Sequence, residues 1–348
     1  MSGTAIDAFA GAGGISLGLM EAGFDVVFAF DNDPVSVKTY NLNLPPHAHC
    51  LDATALSAEE LLERAGLAPG ECDLLVGGPP CQGFSIQRHD GADDPRNQLV
   101  LTFLSYILGL RPKAFLMENV PALMSRRGKH LVDELTGSTE AAGYVCSSMT
   151  LDAADFGVPQ HRKRTFVVGA MGGVGPFQWP RPRDGSPLTV RDAIADLPSP
   201  PLDGSPHGDI PNHYRESRLS ALNIERIRYV PPGGGREHLP KHLQLQCHSG
   251  GHRHLDTYGR LAWDAPSVTL TARFDSFTRG RFGHPVEDRS ITLREGARLQ
   301  GFPDSHIFLG SREDGARMIG NAVPPPLASV LAGAINRSPQ EPRPALIG

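Results

Sequence analysis

Long apolar runs are missing from this 348-residue chain. None approaches the ~18–20 residues of a membrane-spanning helix, which excludes a helical membrane protein. Cysteine is scarce and odd in number: five, at positions 50, 72, 81, 146 and 247, with no C-x-x-C pair. That spacing excludes a disulfide framework and a zinc ribbon and fits a reducing cytoplasm. The start, Met1-Ser2-Gly3-Thr4, runs almost at once into a strand pattern and leaves no room for a signal peptide. Net positive charge is also missing, since the formal charge is −5. Lysine is nearly absent from residues 211–300, where 13 of 14 cations are arginine and only 9 acids oppose them. That segment is +5 and the remainder −10. An arginine-only surplus suits planar, bidentate recognition of phosphate and guanine, whereas an ordinary solvated face would mix in lysine.

Residues 1–170 alternate short apolar strands with helical patterns, the signature of a mostly parallel, doubly wound α/β sheet. Expected strands are Thr4–Phe9, Asp25–Phe30, Asp73–Val76, Ala114–Met117, Cys146–Leu151 and Arg164–Ala170. A first helix should run from Gly14 to Ala22 and stop at Gly23. Residues 171–212 read as a Pro/Gly-rich linker with one short helix near Thr189–Asp196, and 213–300 as an irregular region with short β-like pieces. An apolar helix returns over Pro324–Asn336. The expected division is a catalytic, cofactor-binding domain over 1–180 completed by 312–337, and a smaller, irregular β-rich domain over 181–300. A hinge at 301–311 and a flexible tail at 338–348 complete it.

The chemistry concentrates in Gly77-Gly78-Pro79-Pro80-Cys81-Gln82-Gly83-Phe84-Ser85, which follows the apolar strand Cys72–Val76. A thiol on a turn stiffened by two prolines, just past a strand end, is a candidate nucleophile. A second Gly-rich turn, Asp7 to Gly14, joins the first strand to the first helix and turns its backbone N–H groups towards a ligand. It lacks the third glycine of a dinucleotide fingerprint, because Ser16 stands there. This disfavours a nicotinamide oxidoreductase and suits an adenosyl group without pyrophosphate. Asp31 ends the second strand, where a carboxylate can accept from ribose hydroxyls, and Asp52 follows the next short apolar piece; three such ligand-facing loops imply a nucleoside cofactor. Glu118 ends a further strand at the edge that carries Cys81, and a thiol and a carboxyl converging there point to catalysis. Arg162 and Arg164 alternate on one face entering the next strand. His238, His242, Cys247, His248, His252 and His254 cluster in sequence. Intervening glycines break any continuous helix and no second cysteine helps, so they read as solvated or phosphate-contacting histidines and not as a metal site.

Taken together, the blocks DAFAGAGG (7–14), GGPPCQGFS (77–85), MENV (117–120), QHRKR (160–164), RSITLREGARLQGFPD (289–304) and GNAVPPPLA (320–328) resemble the DNA cytosine-5 methyltransferases of the compact bacterial type. The resemblance implies a Rossmann-like S-adenosylmethionine-dependent fold, with 171–288 as the variable target-recognition region. It implies that Cys81 attacks C6 of a flipped-out cytosine in duplex DNA. Glu118, protonated or sharing a proton and so of raised pKa, would engage N3 and the exocyclic amine, while Arg162 and Arg164 steady the base carbonyl and nearby phosphates. Cofactor contacts are implied at Phe9, Ala10, Gly11, Gly13, Gly14, Asp31, Asn32, Asp52, Pro79, Asn321 and Val323, with S-adenosylhomocysteine as product and no metal. Asp31 stands where many relatives carry Glu, and Asn32 where an aromatic residue often packs on adenine. DNA contacts are implied at Gln82, Ser85 and Gln160, and at Arg273, Arg279 and Arg281 before the 289–304 block. Those arginines suggest a G·C-rich target, the competing reading being phosphate contact alone. The implied setting is a cytoplasmic, nucleoid-associated bacterial monomer, either an orphan methylase or one matched to a restriction endonuclease acting on the same site without a stable complex. A tRNA cytosine-5 methyltransferase and a catalytically silent DNA-binding regulator are the alternatives on the same fold.

Overall fold

The computed structural model describes residues 3–80, 98–126, 128–172, 177–216, 219–245 and 256–337. They form two compact units: one from residues 3–152, 163–182 and 325–337, the other from 153–162 and 183–324.

The first unit is built on a seven-stranded sheet. Its strands are β1 (Thr4–Ala8), β2 (Asp25–Asp31), β3 (Ala48–Cys50), β4 (Leu74–Gly77), β5 (Ala114–Asn119), β6 (Tyr144–Asp152) and β7 (Lys163–Met171), in the order β3-β2-β1-β4-β5-β7-β6. The first five run parallel, and β7 pairs antiparallel with β5 and with β6. Parallel strands buried on both faces read as near-continuous apolar runs, as Leu74–Val76 and Ala114–Met117 do. The chain winds outward from β1 in both directions, so the sheet's switch point lies between β1 and β4. Ligands of open α/β sheets bind at that point, beyond the carboxyl ends of the strands.

Helices α1 (Gly14–Glu21), α2 (Pro34–Asn43), α3 (Ala58–Ala65), α4 (Gln98–Leu110) and α5 (Lys129–Ala141) provide the crossovers. Their limits follow local chemistry. Asp33 caps α2 with Pro34 at its first position, Ser57 caps α3, and Gly66 ends α3 at φ +67°. Phe103, Tyr106 and Ile107 of α4 pack with Phe28, Phe30 and Phe115 in one buried cluster. Each such side chain contributes roughly 1.5–3 kcal/mol of transfer free energy.

The second unit holds α6 (Val190–Ile194), α7 (Ala221–Arg228), α8 (Leu293–Leu299) and α9 (Arg312–Asn321). Reciprocal capping boxes, Thr189 with Asp192, Thr292 with Glu295 and Ser311 with Asp314, start three of them. The short strands expected within 213–300 reduce, among the described residues, to isolated bridges between Ser267 and Gln160, between Arg260 and Gly283 and between Gly283 and Ser290. Without a sheet ladder the loop carbonyls need other donors. Buried arginines supply them. Arg260 donates to the carbonyls of Ile227, Val230 and His284, and Arg294 to those of Pro211, Pro303 and His306. Residues 153–162 and α9 fall in this unit, where the sequence reading put them in the first.

The last helix, α10 (Pro325–Arg337), returns to the first unit and packs against α1. Gly18 of α1 is what lets them meet. A Cβ there would stand 2.5 Å from the Pro325 carbonyl oxygen and 2.6 Å from the Ser329 nitrogen. Helices α9 and α10 have 10 and 13 residues, separated by extended backbone at Ala322, so neither reaches the ~20 residues of a membrane span.

Candidate active site

The carboxyl ends of β1, β2, β4 and β5 converge at one edge of the first unit's sheet. Beyond β1 the chain turns sharply, with Phe9, Gly11 and Gly13 at φ values of +61°, +55° and +91°. A bulky residue in that region costs energy, and such strain gathers at functional sites. The turn is held from within. Ala10 N donates to Phe30 O at 3.0 Å, Gly13 N to Ala10 O at 3.0 Å, and Gly11 N to Asp31 Oδ2 at 2.9 Å. The N–H groups of 10, 11 and 13 are therefore engaged inside the protein. That corrects the expectation that they face a ligand, and it accords with a cofactor that needs no pyrophosphate cradle. Instead a Cβ on Gly11 would meet nothing within 4 Å, so the turn presents open backbone there, while Gly13 lies against Leu44 and Tyr40. Asp31 Oδ1 accepts from Asp33 N at 2.9 Å. Each of its oxygens thus accepts from a backbone donor at the end of β2. Asn32 is exposed. Asp52 is exposed and caps a short 3₁₀ turn through Oδ1 alone, accepting from Thr54 N at 2.9 Å and Thr54 Oγ1 at 2.8 Å. Those two bonds hold its carboxyl below the usual carboxylate range.

At the β4 end, a Cβ on Gly78 would lie 3.1 Å from Glu118 Oε2. Pro79 is buried, and its carbonyl accepts from Asn119 Nδ2 at 2.9 Å. Asn119 was not singled out from the sequence, although it stands inside MENV; its signal was its place beside Glu118. Cys81, Gln82 and Ser85 lie outside the described residues. Cys81 directly follows the pinned Pro79-Pro80 pair, whose strand end adjoins Glu118. Arg164 Nε lies 2.9 Å from Glu118 Oε1, with both side chains little exposed, at 15% and 12%.

The second arginine behaves differently. Arg162 precedes β7, is 1% exposed and donates from Nη1 to Leu270 O at 3.1 Å within the second unit. Arg164 is half-buried beside Glu118, whereas Arg162 is buried in the second unit. Gln160, expected at DNA, is fully buried. Its amide nitrogen donates to Leu299 O at 3.2 Å and to Gln300, and its oxygen accepts from Leu270 N at 2.9 Å. Its polar atoms are engaged in the second unit, so it is a structural strut there. Asn321 ends α9 and is exposed, whereas Val323 is buried.

Of the three arginines expected to read bases, Arg273 pairs with Asp275 at 3.2 Å and Glu313 at 2.9 Å. Arg281 donates to Gly233 O and pairs with Asp256 at 3.2 Å. Arg279 is exposed at the end of a 3₁₀ turn and makes no ion pair among the described residues. His238 and His242 sit on separate 3₁₀ turns beside Glu237 and Glu225, while Cys247, His248, His252 and His254 lie outside the described residues.

Against this geometry, the sequence matches the family model of C-5 cytosine-specific DNA methylases over residues 3–337. The chain belongs to that family. The methylase is 38% identical over 339 residues to the Type II methyltransferase M1.HphI of Haemophilus parahaemolyticus, covering 96% of this chain and 87% of that one. It is 32% identical over 422 residues to the Type II methyltransferase M.AgeI of Thalassovita gelatinovora, covering 95% and 98%. Among solved structures it superposes on a presumptive DNA modification methyltransferase of an E. coli prophage with a TM-score of 0.76 and 27% identity, over 97% of this chain and 99% of that one. The methylase transfers a methyl group to carbon 5 of cytosine in DNA, and its family draws that group from S-adenosylmethionine. The open Gly11 backbone, the Asp31 carboxylate at the end of β2 and the exposed Asp52 carboxylate fit an adenosyl ligand.

Proposed function

We propose that the methylase acts through a covalent bond between Cys81 and C6 of a cytosine flipped out of duplex DNA. The reading rests on one arrangement above all: the segment leading to Cys81 is tied by Asn119 beside Glu118, which in turn is paired with Arg164. An aromatic ring accepts a methyl poorly at C5, and thiolate addition at C6 converts it to a reactive enamine. Glu118 gives or shares a proton at N3 as the thiolate adds. The paired Arg164 holds that carboxyl in place and is free to share its fork with the base carbonyl. Arg162, expected beside the base, is bonded to the Leu270 carbonyl. S-adenosylmethionine, held over the 9–14 turn by Asp31 and Asp52, would supply an electrophilic methyl group, with S-adenosylhomocysteine as product and no metal. Solvent water takes the C5 proton, and the C–H electron pair re-forms the C5–C6 double bond as the Cys81 thiolate leaves.

Arg279 has the exposure and freedom to meet a guanine edge, which supports a G·C-rich target. Arg273 and Arg281 shape the loop that carries it and meet phosphates. The enzyme works as a cytoplasmic monomer on nucleoid DNA, with a restriction endonuclease sharing its site but not bound to it.

Labelled methyl transfer tests this. Cys81→Ser should abolish incorporation into duplex DNA while cofactor binding persists, and wild-type protein should leave tRNA unlabelled. Near-normal turnover by Cys81→Ser would overturn the covalent route, and labelling of tRNA in preference to duplex would overturn the substrate.

A further inference from the structure

Asp7 occupies the strand at the sheet's switch point, two residues before Phe9 of the strained turn. It is completely buried, between Ala29 of β2 and Val76 of β4. Its Oδ2 accepts from Ser16 Oγ at 2.6 Å, and that hydroxyl accepts from Tyr40 at 2.9 Å. Its Oδ1 is enclosed without a hydrogen-bond partner among the described residues. The titratable groups facing it are Asp31 from β2 and Tyr40 from α2, and α1 offers only the hydroxyl and backbone N–H of Ser16. A buried carboxylate is stable only beside a cation or a full set of donors, and this one has neither among the described residues. Burial, offset by the Ser16 bonds and reinforced by Asp31, pushes it up to about 7.

The cation this carboxyl lacks is carried by the family's cofactor and not by its product. Resting on the assignment of the 9–14 turn to that cofactor, we infer that Asp7 is a charge-sensing binding residue that favours the sulfonium form over the demethylated product. Asp7 gives its proton to solvent when the cation arrives over the turn. It regains a proton once methyl transfer has removed the positive charge, which weakens the hold on the product.

The test is calorimetric and needs no turnover. S-adenosylmethionine and S-adenosylhomocysteine are each titrated into the full chain at pH 7 in two buffers of different ionisation enthalpy. S-adenosylmethionine should release about half a proton per site, and the product several-fold less. In Asp7→Asn the difference should vanish. Equal release by both ligands, or a difference that survives Asp7→Asn, overturns the inference. Should Asp7→Asn fail to fold, wild-type affinities decide. The preference for S-adenosylmethionine should rise about threefold to tenfold between pH 6 and pH 8, and a flat preference overturns the inference. Failure of either ligand to bind would overturn the cofactor assignment itself, a result distinct from binding without proton release.

Discussion

Arg164 Nε stands 2.9 Å from Glu118 Oε1 across the antiparallel pairing of β7 with β5. The register opposes Glu118 to Phe166 and Asn119 to Thr165, so Arg164 reaches back along β5 to the carboxyl. A little-exposed pair of this kind fixes a side chain more than it stabilises a fold.

Removing Arg164 should thus act on catalysis. Arg164→Ala should lower single-turnover methyl transfer by about 10²–10⁴-fold, the usual worth of a positioned acid–base group. Cofactor binding measured by calorimetry should stay within a few-fold. Arg164→Lys should not restore the rate, because an ammonium cannot fork between Glu118 and a base carbonyl. A lysine variant within tenfold of wild type would refute this geometry.

Gly18→Ala should destabilise the protein even though alanine is the better helix former. The propensity gain is about 1 kcal/mol. Against it stand contacts of 2.5 Å and 2.6 Å to backbone atoms of α10, which cannot move aside as a flexible side chain would. Overpacking of this sort costs roughly 1–3 kcal/mol. A melting temperature several degrees lower is expected, and a rise would show that the two helices separate freely.

The first unit was legible because its signals are local. Apolar runs bounded by Gly, Pro and Asp predict six of the seven strands to within one or two residues, missing the short β3, and Gly23 at φ +87° follows α1 as expected. The acids at 31 and 118 stand at strand ends because alternation and turn chemistry place them there. What escaped was pairing at long range. Nothing local distinguishes Arg164, paired with Glu118, from Arg162, buried at 1% exposure and bonded to Leu270 O. Arginine enrichment in 211–300 was read as a nucleic-acid footprint. Arg226, Arg236, Arg260, Arg289 and Arg294 are buried. Several of them serve loop carbonyls or buried acids in a unit that has only isolated bridges among the described residues, a use that equally excludes lysine because it needs the planar fork.

That division separates stability from sequence choice. Gln160→Ala should cost roughly 2–4 kcal/mol, since it empties a buried site and strands Leu270 N and two acceptors. The methylated motif, read by bisulfite sequencing, should be unchanged. Arg279→Ala should do the reverse: an unchanged denaturation midpoint, but relaxed choice at one position of the motif by about 1–3 kcal/mol of discrimination. A uniform loss of DNA affinity, with a salt slope shallower by about 1, would reassign Arg279 to a phosphate.

Asp7 predicts an unusual dependence of stability on pH. Its folded value of about 7 lies above the unfolded 3.8. Between those limits the folded protein holds a proton that the unfolded chain releases. The stabilising contribution is therefore complete below about pH 4 and is lost as pH rises through 7. The loss is on the order of 4 kcal/mol, and buried carboxylates paired with cations contribute in the opposite sense. Glu295 is such a case: burial opposes its charge, yet Arg289 at 2.7 Å holds it down to about 2. Its contribution is lost only in strong acid, so the two carboxyls leave a stability maximum on the acid side of neutrality. Asp7→Asn should flatten the fall between pH 5 and pH 7.5 and leave the decline below pH 4 intact. Urea midpoints across that range measure both limbs. A wild-type midpoint that climbs from pH 5 to pH 7.5 would mean that Asp7 is ionised in the folded protein.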